Sequence, residues 1–376
     1  MQFKTIVGQD KTKALLIKEA KRERISHAQM FLGESGIGKL PLAVAFAQYL
    51  LCESPSGKDS CGNCGSCNKV SQFVHPDVHF VYPVVKSAAH KVAVSDDRRD
   101  MWNTFFKENT YFNLNMWQEH LGEMGKNAQI GVQESKSILK KLALKSYSGK
   151  FKIMIIWLPE KMNNSAANKL LKILEEPPEK TLFFLICDTI DAILPTIISR
   201  TQTIKIPILK TSEVKLFLEK EHKIPEPQAE SISNLTQGNL VEALLMTKGD
   251  VANTAYFESF VKLMRAAYAI DAMALMNIAE ELAGLGRENQ KNFLKFGLHM
   301  FRESLIFNYL GVDNVNVKNQ ELDFLNKFAR FINNQNISAL LEEFDQASYH
   351  IDRNANAKLL FSDLVIKLTK LIKKGV

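Results

Sequence analysis

Apolar positions fall into two regimes along this chain. As far as about residue 210 they alternate between short solid runs and spaced ones. "AQMFL" (28–32), "FKIMIIW" (151–157) and "TLFFLIC" (181–187) are continuous apolar stretches rich in Ile and Phe. Strands buried on both faces of a parallel sheet carry that pattern. "PLAVAFAQYLL" (41–51) reads as the helix after the first of them. "SAANKLLKILEE" (165–176) repeats apolar residues three and four apart, and Pro177 and Pro178 stop it. Strand, helix and strand again predict a three-layer α/β domain with a mostly parallel sheet, over residues 1–208.

Beyond Thr211 the strand patterns vanish. "SEVKLFLEKEH" (212–222) and "PQAESISNLT" (227–236) predict short amphipathic helices ending at the stop signal "QGN", which gives a small helical domain over 209–250. From 251 to 376 come long helical patterns, "YFESFVKLMRAAYAI", "NFLKFGLHMFRESLIFNYL" and "NAKLLFSDLVIKLTKLIKK". In the last of these Leu359, Leu360, Leu364, Ile366, Leu368, Leu371 and Ile372 are expected to make one broad stripe facing a bundle core.

One segment breaks the alternation. Between residues 84 and 126 aromatic side chains stand among charges: Trp102, Phe105, Phe106, Tyr111, Phe112 and Trp117. Rings beside Arg and Lys could stack on single-stranded bases. The expectation preferred here is a small helical insertion folded onto its host.

Charge adds little, since 48 basic against 41 acidic residues leave a net +7. That excess permits nucleic acid without arguing for it. The start "MQFKTIVGQDKTKALL" shows no basic leader before an apolar core, and no run of about 18 apolar residues occurs. A cytoplasmic protein without a membrane span is therefore expected. Cysteine usage says more. Four of the five cysteines, Cys52, Cys61, Cys64 and Cys67, are bunched in a C-x8-C-x2-C-x2-C pattern. Two-residue gaps let thiolates converge on one ion, and four thiolates make a closed tetrahedral zinc site, structural rather than catalytic. His75 and His79 then read as ordinary residues, and Cys187 as a small core residue.

The first apolar run leads into "GESGIGKL" (33–40). Gly33 and Gly38 bracket four residues, with Gly36 between them, and Lys39 follows. This is a phosphate-binding loop in which Leu40 replaces the hydroxyl residue that would hold Mg²⁺. Mg²⁺ is not expected here. Nucleotide binding is left open, because Gly36, Gly38 and Lys39 keep the means to hold phosphate.

Taken together, "HAQMFLGESGIGK", a four-cysteine module over 52–67, "NKLLKILEEPP" and "ISRT" resemble the AAA+ clamp-loader family of bacterial DNA polymerase III. The similarity is to its delta-prime branch rather than the ATP-hydrolysing gamma/tau branch. The resemblance implies an AAA+ domain, a helical lid and a C-terminal helical collar for oligomerisation. It implies gamma/tau and delta subunits as partners, with the sliding clamp and primed DNA engaged through the assembly. In an active relative an Asp-Glu pair ends the strand before the "LEEPP" helix; here Trp157 and Leu158 stand there, and Glu160 is displaced. A lid arginine in "G-x-x-R-x-A-L" is replaced by Val241 in "GNLVEAL". With Leu40 these are three independent losses, so no intrinsic ATPase is expected. "ISRT" keeps Ser199 and Arg200, and the resemblance implies that Arg200 reaches the ATP site of a neighbouring subunit. The competing expectations are an ATP-hydrolysing gamma/tau-type subunit and a zinc-containing DNA-binding accessory protein.

Overall fold

The structure is a computed structural model that describes residues 1–87, 92–123, 126–143, 146, 147, 149–248, 250–312, 315, 317, 319–353 and 355–374. The chain divides into two compact units, Met1–Leu244 and Leu245–Val376.

The first unit is built on five parallel strands: β1 (Ala28–Leu32), β2 (Val78–Val81), β3 (Lys152–Trp157), β4 (Thr181–Cys187) and β5 (Gln202–Lys205). Their order in the sheet is β2-β3-β4-β1-β5, so the two longest strands lie at its centre beside β1. Ala28 pairs opposite Phe183, and Lys152 opposite Thr181. The helices of this unit are α1 (Asp10–Lys21), α2 (Lys39–Leu51), α3 (Gly65–Ser71), α4 (Arg99–Glu108), α5 (Leu114–His120), α6 (Val132–Ala143), α7 (Asn164–Glu175), α8 (Pro195–Ile198), α9 (Thr211–His222), α10 (Glu226–Thr236) and α11 (Leu240–Lys248). The last turn of α11, from Leu245, belongs to the second unit.

Successive strand residues point to opposite faces, and both faces are covered. On one side Phe31, Ile153, Ile155, Phe184 and Ile186 join a core with α2, where Phe46 stacks on Phe184 at 5.3 Å. On the other, Met30, Met154, Ile156, Phe183 and Leu185 meet Ile138 and Leu142 of α6 and Leu170 and Leu174 of α7. This is the expected three-layer α/β domain with a parallel sheet. Helix α2 is buried along its whole length, which explains why its sequence is apolar on every face. Helix α7 starts where the Asn163 side chain accepts from the Ala166 amide. It ends before Pro177, because the residue ahead of a proline is pushed out of helical geometry.

Strands β2 and β5 carry no solid apolar run: "VHFV" is interrupted by His79, and only Ile204 of "QTIK" is buried. Within the insertion, residues 88–91 and 124–125 lie outside the described ones. Its described helices, a 3-10 turn over Ser95–Arg98 followed by α4 and α5, are the expected helical part and lie on the α2 side of the sheet. Ser87 and Val92 pair in an antiparallel bridge. Trp102, Phe105, Phe106, Phe112 and Trp117 are all buried in the same core as α2. Tyr82 stacks on Trp102 at 3.9 Å, and Trp117 meets Trp102 edge-on at 5.2 Å. Rings packed this way offer no face to a base.

Among its described residues the second unit has helices as its secondary structure, including α12 (Asp250–Ala269), α13 (Ala272–Gly284), α14 (Arg287–Leu310), α15 (Asn319–Phe328), α16 (Ile337–Asp352) and α17 (Ala357–Lys374). Helix α14 packs on α16, and α13 and α12 pack on α17. The expected stripe on α17 needs correction. Leu364, Leu368 and Ile372 are buried, but Leu359 and Ile366 are 71% and 52% exposed. Phe361 and Val365 take their place in the core. At 100° per residue, positions 361, 364, 365, 368 and 372 share one face, and 359 and 366 fall outside it. Among the described residues, no helix is long and apolar enough to cross a membrane.

Candidate functional site

Strand β1 delivers the chain to Gly33, and α2 begins at Lys39. Between them Gly36 and Gly38 adopt φ of 82° and 83°, the left-handed region that glycine enters without a Cβ clash. The loop therefore has the shape of a phosphate cradle. Its lysine is engaged elsewhere. Lys39 is only 4% exposed, and its Nζ donates to the carbonyls of Gly33, at 2.6 Å, and Glu34. The same ammonium pairs with Asp188 Oδ1 at 2.7 Å. Three donors meet three acceptors, so every N–H of the ammonium has a partner within the chain. Leu40 is buried in the α2 core and supplies no hydroxyl.

At the end of β3, Trp157 packs against Trp102 at 5.4 Å and Phe112 at 5.2 Å. Leu158 turns back with φ 55°, into the short turn Pro159–Lys161. The turn brings Glu160 round so that its Oε1 accepts from the Asp188 amide at 2.8 Å. Burial pushes this carboxyl above the ordinary carboxylate range. Glu160 thus gives one oxygen to a backbone amide, while its Oε2 is buried without a hydrogen-bond partner among the described residues. Val241, where a lid arginine would stand, is buried at the start of α11. The amides of Leu240 and Val241 donate to Gly36 O at 3.1 and 3.3 Å. Asn239 lies so close over Gly36 that a Cβ there would sit 1.9 Å from its Oδ1.

From the insertion, Thr110, Tyr111 and Phe112 close the remaining side. Together with Ser35, Lys39, Asp188 and Val241 they leave a cavity of about 30 Å³. Sequence reasoning named Gly33, Gly36, Gly38 and Lys39, and all four are brought together here. It missed Asp188 and assigned no role to Tyr111. An acid directly after an apolar strand was the available signal for Asp188, but only the sheet order, with β4 beside β1, sets it against the loop.

Arg200 lies apart from this cavity, after α8. Its side chain is 36% exposed and pairs through Nη2 with Glu175 Oε1 at 2.7 Å. Nη1 donates to Thr196 O at 3.1 Å and to Ser199 Oγ at 3.3 Å. The exposed Ser199 donates its own hydroxyl to Thr196 O at 3.1 Å. The guanidinium is held at the surface by groups that a stronger anionic partner could replace.

The four clustered cysteines converge. Cys52 caps the C-terminus of α2, Cys64 caps the N-terminus of α3, and Cys67 lies within α3. Their sulfur atoms all lie within 4.8 Å of one another, and the Cys61–Cys67 sulfurs are 3.9 Å apart. A tetrahedral zinc with Zn–S of ~2.3 Å requires sulfurs about 3.8 Å apart, so the donor set fits that ion. The amides of Cys61, Cys64 and Cys67 donate to the sulfurs of Cys52, Cys61 and Cys64 at 3.2, 3.4 and 3.4 Å. Such N–H groups stabilise thiolate; those of Asn63 and Cys64 help lower the Cys61 pKa to about 6. Burial pushes Cys52 and Cys67 the other way. All five cysteines are free of disulfides. The nearby His75 bonds instead to Ser66 Oγ at 3.1 Å and accepts from the Asp77 amide at 3.1 Å. Cys187 is fully buried in the second face of the sheet.

The chain belongs to the family described as DNA polymerase III, delta subunit, whose model matches residues 8–210. It is similar to the DNA polymerase III subunit delta' of Bacillus subtilis, 30% identical over 243 residues, which is 64% of this chain and 60% of that protein. It is also similar to the subunit delta' of Escherichia coli, 26% identical over 235 residues, 62% of this chain and 58% of that one. The chain thus spans about three fifths of the length of these relatives. Among solved structures, a gamma subunit-related protein of Thermotoga maritima aligns with a TM-score of 0.37 and 15% identity, over 95% of this chain and 99% of that one.

Proposed function

We propose that this chain is a non-hydrolysing, delta-prime-type subunit of a bacterial DNA polymerase III clamp loader. The observation that carries the reading is Lys39, whose ammonium is spent on Asp188 and on the carbonyls of its own loop. Phosphoryl transfer is catalysed by positioning and by charge stabilisation, much of it through Mg²⁺. Here the lysine is neutralised, Leu40 has no hydroxyl, and Glu160 serves a backbone amide. ATP and Mg²⁺ therefore have no productive place in this chain, and its contribution lies outside its own site.

On this reading residues 1–208 are the AAA+ domain, 209–250 its lid, and 251–376 a collar that joins gamma/tau and delta subunits. Arg200, with Ser199 as its motif neighbour, enters the ATP site of an adjacent gamma/tau subunit. There a planar guanidinium stabilises charge on the transferring phosphoryl oxygens. Zinc held by Cys52, Cys61, Cys64 and Cys67 is structural, because four sulfurs leave no open coordination position. The assembly works in the cytoplasm and uses ATP to place the sliding clamp on primed DNA. The test is reconstitution with gamma/tau and delta, followed by mass measurement of the complex. A complex that contains this chain supports the reading, and one that forms only without it contradicts the reading.

A further inference from the structure

The nucleotide site is a surface with an occupant. We propose that residues 110–112 of the insertion are its built-in ligand, and that Tyr111 holds α9–α11 closed over the loop where a nucleotide would otherwise be needed. The proposal rests on the reading that this site no longer serves a nucleotide.

Tyr111 is buried, and it touches three parts of the first unit at once. Its ring lies directly on the loop: a Cβ at Gly38 would stand 2.9 Å from Cε1 of Tyr111. Its Oη accepts from the Val7 amide at 2.9 Å, which ties in the N-terminal segment. Its edge meets Phe217 of α9 at 5.6 Å, which ties in the lid helices. Beside it, Phe112 packs edge-on against Trp157, the residue standing in the place of the first acid. Burial pushes the Tyr111 hydroxyl up to about 12, so it stays a neutral phenol at any ordinary pH.

Lid closure usually depends on a ligand that bridges the two sides of a cleft. Here the chain itself supplies bridges. Tyr111 spans the loop and α9, and the first amides of α11 donate to Gly36 O. Thr110, Tyr111 and Phe112 line the cavity beside the loop, of about 30 Å³. The lid helices are thus tied to the loop by contacts that belong to this chain.

Amide hydrogen exchange on the full chain tests this, comparing wild type with Tyr111→Phe, Tyr111→Ala and Phe217→Ala. Tyr111→Phe removes only the hydroxyl and is expected to accelerate the Val7 amide while the amides of Leu240 and Val241 keep their protection. Tyr111→Ala and Phe217→Ala remove the aromatic bridge and are expected to accelerate Leu240 and Val241 on the order of tenfold, with β4 amides unchanged. Leu240 and Val241 amides as slow in Tyr111→Ala as in wild type would overturn the proposal. Should Tyr111→Ala also accelerate β4, signalling general unfolding, Phe217→Ala decides: its ring is only half-buried, and unchanged lid amides there overturn the proposal equally. No ATPase or partner enters this experiment, so its failure leaves the clamp-loader reading intact.

Discussion

Asp188→Asn is expected to destabilise the first unit, because it strands a buried ammonium. Lys39 is 4% exposed, whereas the Asp188 side chain is 26% exposed and stands at the mouth of the cavity. Breaking a fully buried pair from one side costs ~3–5 kcal/mol. The partial exposure of Asp188, and the oxygen that asparagine still offers, bring the expected cost to about 2 kcal/mol. For a unit of this size each kcal/mol shifts Tm by ~2–4 °C, so a fall of about 4–8 °C is expected. Tryptophan fluorescence is the assay, since Trp102, Trp117 and Trp157 are the chain's three tryptophans and all lie in the first unit. Replacing both partners, as Lys39→Met with Asp188→Leu, is expected to recover most of the loss, because no charge is then left unpaired. Asp188→Asn within about 0.5 kcal/mol of wild type, or single and double costs that simply add, would refute the claim that the lysine is structural.

The purified chain is expected to carry one zinc, and Cys64→Ser to strip it while the parallel sheet survives. Metal analysis finding no zinc in protein prepared without chelator would end that idea. The isolated chain is expected to hydrolyse ATP no faster than background in a phosphate-release assay, and a turnover abolished by Lys39→Ala would show that the site had been misread. Burial holds His79 at about 4 against an ordinary 6.5, so it stays neutral in the fold while the unfolded chain takes up a proton. Stability from this group is present above pH ~6.5 and is lost as pH falls toward ~4; about 2 kcal/mol is expected for a ring not wholly buried. Denaturant melts across that window should flatten for His79→Gln, and an unchanged slope would contradict the assignment.

How much of this was legible depends on how many faces an element buries. β1, β3 and β4 are covered on both sides and are solid apolar runs, so they could be read directly. β5 lies at the sheet edge with Ile204 as its only buried residue, and β2 turns His79 and Phe80 part-way out, so neither rose above a loop. On α17 the stripe was drawn too wide because Leu359 and Ile366 are apolar yet exposed; composition cannot say which way a side chain faces. Local chemistry was legible where spacing carries it, as with Cys61, Cys64 and Cys67 and with the glycine loop. The closure of that loop was not. It depends on Asp188, Tyr111 and Asn239 reaching Lys39, Gly38 and Gly36 across long separations in sequence, the first brought by the sheet order and the others by the packing of the insertion and of the helices after β5.

If the chain acts on another subunit's chemistry, Arg200 must be where it does so. Its ion pair with Glu175 is largely exposed, so Arg200→Ala should change stability by less than about 1 kcal/mol and leave assembly intact. The decisive measurement is DNA-stimulated ATP turnover by the loader reconstituted with Arg200→Ala. The site this arginine serves should slow on the order of a hundredfold or more, and Arg200→Lys should rescue it poorly, for want of the guanidinium fork. A reduced turnover in a complex of normal mass is the expected result. A complex that assembles and hydrolyses ATP at the wild-type rate would contradict the account and leave this chain only a scaffold.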